Sequence, residues 1–115
     1  MIDRYVVLQA LAEFSKTTSE LQGFLESLEW DFDGPPLVMN RGHFRSVLER
    51  YLKGGLSSQE VEDWANLVEG REDITFEPDD AELLREVVYE LANPELTEQL
   101  SNQRAMDMVG LLGKV

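Results

Sequence analysis

The chain contains no cysteine and only one histidine among its 115 residues. The absence of cysteine excludes disulfides, iron–sulfur clusters, thiol nucleophiles and cysteine-ligated zinc. A Ser–His–Asp triad would depend on His43 alone, and no G-x-S-x-G motif accompanies it. His43 falls in the first turn of a predicted helix, where we expect a neutral capping or solvent-edge side chain. The sequence therefore predicts no metal, no cofactor and no enzymatic activity.

Positive charge is scarce. Ten Lys and Arg oppose 23 Asp and Glu, so the formal net charge is −13 and the sequence pI is about 4.3. Binding of nucleic acid depends on basic side chains that neutralise phosphates, so we expect no DNA or RNA partner. An anionic membrane surface is disfavoured for the same reason.

Long hydrophobic runs are also missing. Asp3, Glu13 and Lys16 interrupt the apolar stretch near the N-terminus, so no secretory signal is indicated. No stretch approaches the roughly 20 apolar residues that a membrane helix requires. We expect a soluble cytoplasmic protein. Apolar residues still make up 43% of the chain, which is enough for one folded domain over residues 1–115.

Apolar residues recur at helical spacings of three and four along most of the chain. An opening helix is predicted to run from about residue 2 to Phe14, and Thr18 or Ser19 is the expected N-cap of the next. Asn40 is the predicted N-cap of a helix that runs through Lys53.

The second half of the chain has similar helix signals. Ser57 and Glu60 form a capping-box pattern, Pro78 begins a further helix, and a last helix is predicted from Ser101 to Leu112. We predict a single all-α domain of five to six short helices, with irregular loops at about 29–39 and 70–79. Short extended segments up to Met39 and at residues 74–77 are the alternative within these loops, although one isolated strand has no obvious partner. The predicted core consists of Leu25, Leu28, Phe44, Leu48, Tyr51, Trp64, Val68, Leu84, Val88 and Leu91.

Residues 29–34 resemble the first half of a calcium-binding loop, because acidic residues alternate before Gly34. The second half departs from that pattern. Pro36 stands where the loop needs a backbone donor, and Asn40 replaces the bidentate glutamate. We interpret the segment as a structural turn whose two aromatic residues are buried and whose Asp31 and Asp33 bind no metal.

Charge is unevenly distributed along the chain. Residues 60–95 carry thirteen acidic residues against Arg71 and Arg85, a net charge of −11. Residues 40–54 instead carry a net charge of +3. Arg41 and Arg45 in that basic segment are expected to pair with acidic residues of neighbouring helices.

Glu82, Glu86 and Glu90 are four residues apart, so one ridge of a helix carries three like charges that repel each other. The ridge can be a solvated face that serves solubility. Alternatively, an acidic surface binds a basic protein, in place of that protein's nucleic acid. For this second interpretation, the candidate partner-binding residues are Glu62, Asp63, Glu82, Glu86 and Glu90.

In residues 51–64, a predicted helix ends at glycine, a hydrophobic residue and serine follow, and the next helix carries an apolar residue and an aromatic. This pattern resembles small bacterial immunity proteins of the self-protective colicin D type, which are short, acidic and helical. The resemblance implies a protein that binds and blocks a cognate toxin, often a nuclease. Residues 30–37 and 91–96 look like segments of an uncharacterised bacterial family, and that resemblance implies no activity.

Three classes of function stay open. An enzyme would need a polar cleft with a perturbed acid, whereas a non-enzymatic interaction or regulatory module would expose an apolar patch. An inhibitory protein of the immunity type needs an acidic face on a small rigid scaffold. We predict the last class, with a basic protein as partner, and leave open whether the chain forms homo-oligomers.

Overall fold

The computed structural model describes residues 3–28 and 34–113. Within these ranges the chain is mainly helical, with six α-helices and two short strands, which confirms the predicted helical domain. The elements in chain order are α1 (Arg4–Glu13), α2 (Thr18–Glu26), β1 (Leu37–Met39), α3 (Arg41–Leu52), α4 (Ser58–Glu69), β2 (Ile74–Phe76), a 3₁₀ turn (Pro78–Asp80), α5 (Ala81–Ala92) and α6 (Asn102–Leu112).

Residues 37–39 and 74–76, within the predicted irregular loops at about 29–39 and 70–79, form two short strands, so the extended alternative holds for these residues. β1 and β2 pair in parallel, with Leu37 opposite Ile74. The Leu37 N–H donates to the carbonyl of Asp73 at 2.9 Å, which extends the pairing by one residue. The pairing could not be predicted locally, because two helices lie between the strands in sequence.

Two predicted helix starts are confirmed. The Asn40 side chain caps α3, and Ser57 caps α4. The Ser57 hydroxyl accepts a hydrogen bond from the Glu60 N–H at 3.1 Å, and the Glu60 carboxylate accepts one from the Ser57 N–H at 2.9 Å. This reciprocal pair satisfies two backbone donors that the helix itself leaves unpaired.

The start of α2 differs from the prediction. Its N-cap is Thr17 rather than Thr18 or Ser19. The Thr17 hydroxyl accepts a hydrogen bond from the Glu20 N–H, and the Glu20 carboxylate accepts one from the Thr17 N–H. In a capping box the acidic residue lies three positions after the N-cap. Because Glu20 is three positions after Thr17, the helix begins with Thr17 as its N-cap.

Most of the predicted core is confirmed. Leu28 and Tyr51 are half-buried and pack against the core. The other predicted core residues are buried: Leu25, Phe44, Leu48, Trp64, Val68, Leu84, Val88 and Leu91.

Trp64 on α4 lies fully buried among elements from both halves of the chain. Its ring stacks on Phe14, with ring centroids 5.7 Å apart, and meets Phe44 edge-on at 5.5 Å. The indole N–H donates to the Leu11 carbonyl at 2.6 Å, so the polar atom of this large side chain is also satisfied. Trp64 therefore joins α1, α3 and α4 in one aromatic cluster.

The interpretation of the calcium-like segment concerns Asp31 and Asp33, which lie outside the described residues, as does Trp30. Among the described helices, none is long and apolar enough to cross a membrane.

Candidate functional site

The five predicted partner-binding residues lie on two helices that pack against each other, α4 and α5. The α4 residues Glu62 and Asp63 are half-buried. On α5, Glu82 and Glu86 are exposed, whereas Glu90 is half-buried. The structure therefore divides the predicted set into an exposed pair and a more enclosed group.

Two members of the enclosed group, Glu62 and Glu90, line a small pocket together with Arg104, which the sequence did not indicate. The Arg104 guanidinium on α6 donates to Glu90 at 2.8 Å and to Glu98 at 3.2 Å. Glu62 lines the same small pocket as these three side chains. Two carboxylates thus share one guanidinium, and Glu90 makes the shorter of the two contacts. Arg104 lies outside the acidic segment 60–95, so the charge pattern of that segment does not indicate it.

The exposed pair has an aromatic neighbour. Tyr89 retains 45% of its accessible surface and follows Glu86 by three residues, so helical geometry places it on the same ridge as Glu82 and Glu86. We call these three residues the α5 ridge. Across residues 3–28 and 34–113, neither carboxylate of the α5 ridge forms an ion pair or side-chain hydrogen bond. The signal for Tyr89 was available in its spacing from the two glutamates.

Asp63 does not belong to the α5 ridge. Its carboxylate accepts a hydrogen bond from the Gln59 side chain one turn earlier on α4, at 2.9 Å. The contact is local to one helix and leaves the negative charge of Asp63 unneutralised. Asp63 on α4 therefore adds to the negative electrostatic potential of the packed pair of helices α4 and α5.

The arginines of the basic helix α3 are engaged with the protein itself. Arg41 donates to the Asp80 carboxylate at 2.7 Å and to the Leu112 carbonyl at 2.9 Å. The prediction that Arg41 pairs with an acidic residue of a neighbouring element is confirmed. The hydrogen bond with Asp80 raises the pKa of the Arg41 guanidinium.

Arg45 differs from its prediction, because its acidic partner is Glu49 on the same helix, at 2.7 Å. Its guanidinium also donates to the Gly113 carbonyl at 2.8 Å. With Arg41, it therefore occupies carbonyl groups at the C-terminus of α6, where the helix dipole favours cations. The guanidinium groups of Arg41 and Arg45 therefore bind groups within the protein itself.

A polar cleft of about 540 Å³ lies between the end of α1 and one side of α3, from Asn40 to Arg50. His43 lies in its wall, near Glu13 and Arg50. The Asn40 N–H donates to the Nδ1 atom of His43 at 3.0 Å, so the predicted capping role is confirmed. Burial lowers the pKa of His43, and the nearby Glu13 carboxylate opposes that effect.

Among the described residues, no group of three or more His, Asp and Glu side chains is arranged to hold a metal ion. No protein-family model, no curated protein and no solved structure matches this chain. The geometry and charge of the described residues are therefore the basis for proposing a function.

Proposed function

We propose that this protein binds a basic protein partner through the α5 ridge. The observation that carries this proposal is the pair of exposed, unpaired carboxylates of Glu82 and Glu86 beside the exposed ring of Tyr89. Two like charges at this spacing destabilise a helix slightly, so fold stability alone does not account for them. A basic partner would turn that repulsion into attraction on binding.

The charge of the whole chain supports the same direction of binding. The net charge of −13 produces a negative potential that attracts basic proteins and speeds their encounter. Arg41 and Arg45 bond to groups within the protein and so offer little positive charge to a competing acidic partner. We therefore expect association to be fast at low ionic strength and slower as salt screens the charges.

Tyr89 adds a large aromatic contact area, which the carboxylates of Glu82 and Glu86 do not provide. Aromatic side chains provide large rigid contact areas and are enriched among the residues that dominate binding energy. A ring flanked by carboxylates also suits a guanidinium, which stacks on aromatic faces and hydrogen-bonds to carboxylates. We expect the carboxylates to govern the association rate and Tyr89 to govern the dissociation rate.

The more specific proposal is inhibition of a basic toxin, such as a nuclease, in the manner of bacterial immunity proteins. It draws support from the acidic helical character and from the sequence resemblance at residues 51–64. An acidic ridge that occupies the nucleic-acid site of such a toxin would block its activity directly.

A second candidate is a non-enzymatic interaction module that uses apolar contacts. Met106 and Leu111 on α6 are largely exposed, and Leu96 in the preceding connection is exposed as well. Exposed apolar side chains mark a binding surface when one partner covers them together, and Met106 and Leu111 lie about 140° apart around α6, so this candidate needs a partner that wraps around the helix. This candidate predicts that α6 substitutions, rather than α5 substitutions, abolish partner capture.

The test is a matched pair of charge reversals. A tagged chain is used to capture partners from native cells, and association with the captured protein is then measured for Glu86→Lys and Glu26→Lys. Both variants change the net charge equally, but Glu26 is exposed on α2, outside the α5 ridge. We expect Glu86→Lys to slow association about tenfold at low salt and Glu26→Lys to slow it far less.

Equal effects of the two substitutions would show that net charge alone matters and would reject the α5 ridge as the binding site. Capture of acidic proteins only would reject a basic partner. Loss of capture with Met106→Ser, while Glu86→Lys still binds, would favour the apolar candidate.

A further inference from the structure

His43 takes part in an unusual version of the capping box. The Asn40 side chain accepts a hydrogen bond from the His43 N–H at 3.3 Å, and the Nδ1 atom of His43 accepts one from the Asn40 N–H at 3.0 Å. Glutamate or glutamine ordinarily fills the position of His43 in this motif. A ring nitrogen accepts a hydrogen bond only when it carries no proton, so the geometry assigns the proton of the neutral ring to Nε2.

We propose that the Asn40–His43 capping box is a pH-sensitive latch, and that protonation of His43 releases the N-terminus of α3. A proton on Nδ1 would turn the acceptor into a donor that faces the N–H donor of Asn40. The new positive charge would also lie in the first turn of α3, where the helix dipole disfavours cations. Both effects act against the closed arrangement.

The surroundings of the ring support this direction. Among the described residues, the charged groups that share the cleft with His43 are Glu13 from α1 and Arg50 from α3 itself, and none comes from α4 or α6. The Glu13 carboxylate favours the charged ring. Desolvation is the larger influence, and the pKa of His43 lies below its ordinary value of 6.5.

The sign of the pH dependence follows from that lowered pKa. The opened capping box takes up a proton more readily than the closed one, because its imidazole is solvated and accepts nothing from Asn40. As the pH falls from 6.5 towards the lowered pKa of the closed state, the opening equilibrium constant therefore rises, by at most about tenfold per pH unit. Above 6.5 the latch stays closed.

Opening of the Asn40–His43 capping box would also weaken contacts between α3 and neighbouring elements. Arg41, which follows Asn40 directly, holds the Asp80 carboxylate and the Leu112 carbonyl at the end of α6. Met39, which precedes Asn40, is the last residue of β1. The latch thus lies at a junction where the strand pair, α3 and the end of α6 meet, and its opening would loosen the contact between α3 and α6.

The experiment is an NMR titration of the unmodified protein, in which His43 is the single histidine and gives one unambiguous imidazole signal. Amide hydrogen exchange of Asn40, corrected for intrinsic rates, reports the opening of the latch. We expect protection of the Asn40 amide to fall about fivefold or more between about pH 7.5 and pH 5.5, with the same midpoint as the imidazole titration. Imidazole ¹⁵N shifts at the higher pH should show the Nε2–H tautomer.

The matched control is His43→Gln, because glutamine completes a capping box and does not titrate. We expect Asn40 protection in this variant to be constant within about twofold over the same pH range. Equal pH dependence in the variant overturns the proposal. If the variant does not fold, the titration of the unmodified protein tests the proposal by itself. An imidazole titration midpoint at or above 6.5 overturns the proposal, and so does a midpoint of Asn40 amide protection that differs from the imidazole midpoint.

Discussion

At the scale of single residues, Asp73 is the clearest example of an acidic side chain with a structural role. It is 3% exposed and lies just before β2. Arg71 donates to both of its carboxylate oxygens, at 2.9 and 2.6 Å, and Arg4 on α1 donates at 2.5 Å. A buried carboxylate with two guanidiniums ties the start of α1 to the strand pair.

Replacement of this carboxylate is expected to be severe. Asp73→Asn would leave two partly buried guanidiniums without their counter-ion, and we expect the free energy of unfolding to fall by about 3 kcal/mol. The neighbouring exposed acid provides the control, and Glu72→Gln should change stability by less than about 0.5 kcal/mol. Urea unfolding of both variants measures the difference. Similar losses in the two would contradict the role assigned to Asp73.

Asp73 also gives the protein an acid sensitivity of its own. Burial alone raises the pKa of its carboxyl, but the hydrogen bonds from Arg71 and Arg4 outweigh burial and hold the pKa below 3.8. The stabilisation is therefore present above 3.8 and is lost as the pH falls through the lowered pKa. In acid-unfolding curves, we expect the stability gap between the wild type and Asp73→Asn to narrow as the pH falls below 3.8.

The sequence could not single out Asp73. In a run of acidic residues each side chain is expected to be solvated, and nothing in residues 60–95 distinguishes the one that is buried. Its partner Arg4 is 69 residues away in the sequence, so only the folded arrangement brings them together. The predicted residues Glu82 and Glu86 were easier to place, because helical spacing alone puts them on one face.

At the scale of elements, α1 ends in an unusual way. Its C-cap residue is Phe14 with φ of 50°, a left-handed conformation that glycine usually provides. The Phe14 ring stacks on Trp64, and the Arg50 guanidinium lies 5.4 Å from the ring centroid. Arg50 also donates to the carbonyls of Glu13 and Phe14, at 3.2 and 3.0 Å. Packing and hydrogen bonds from distant elements therefore hold this strained turn in place.

Arg50 should consequently contribute more to stability than its surface position suggests. Arg50→Met retains much of the apolar stem but removes the hydrogen bonds to two carbonyls and the contact with the aromatic ring. We expect thermal unfolding to show a loss of about 1–2 kcal/mol.

Arg85→Met is the matched control, because Arg85 is exposed on α5 and makes no ion pair or side-chain hydrogen bond among the described residues. Its replacement should change stability by no more than about 0.5 kcal/mol. A loss no larger for Arg50→Met than for Arg85→Met would show that packing alone holds the end of α1.

The helices were largely predictable, and the reason is local chemistry. Asn40 and Ser57 are capping residues whose partners lie three positions away, so a short window of sequence contains the whole signal. The pairing of β1 with β2 and the cap that Arg45 provides for α6 join residues far apart in sequence. No periodicity or capping pattern carries that information.

At the scale of the whole molecule, most of the arginines make contacts within the protein. Arg4, Arg71 and Arg104 form ion pairs with acidic side chains, and Arg41 and Arg45 both form an ion pair and cap carbonyls. The excess acid is left at the surface, so the net charge of −13 is mainly a property of the exterior. This arrangement favours encounter with basic molecules while the fold bears the mutual repulsion of its acids.

That repulsion allows stability and binding to be separated. Glu86 has a like-charged neighbour four residues away on each side, Glu82 and Glu90. In Glu86→Lys both of these repulsive pairs become attractive, so we expect the free energy of unfolding to rise by about 0.3–1 kcal/mol at low salt. The gain should shrink in high salt, because screening weakens exposed pairs. Glu72→Lys, with the same change in net charge, should raise stability less, since Glu72 is exposed and lies outside every helix of the described residues. If Glu86→Lys is more stable yet binds its partner more slowly, the like charges of the α5 ridge contribute to binding at the expense of stability. A loss of stability in Glu86→Lys would contradict that view.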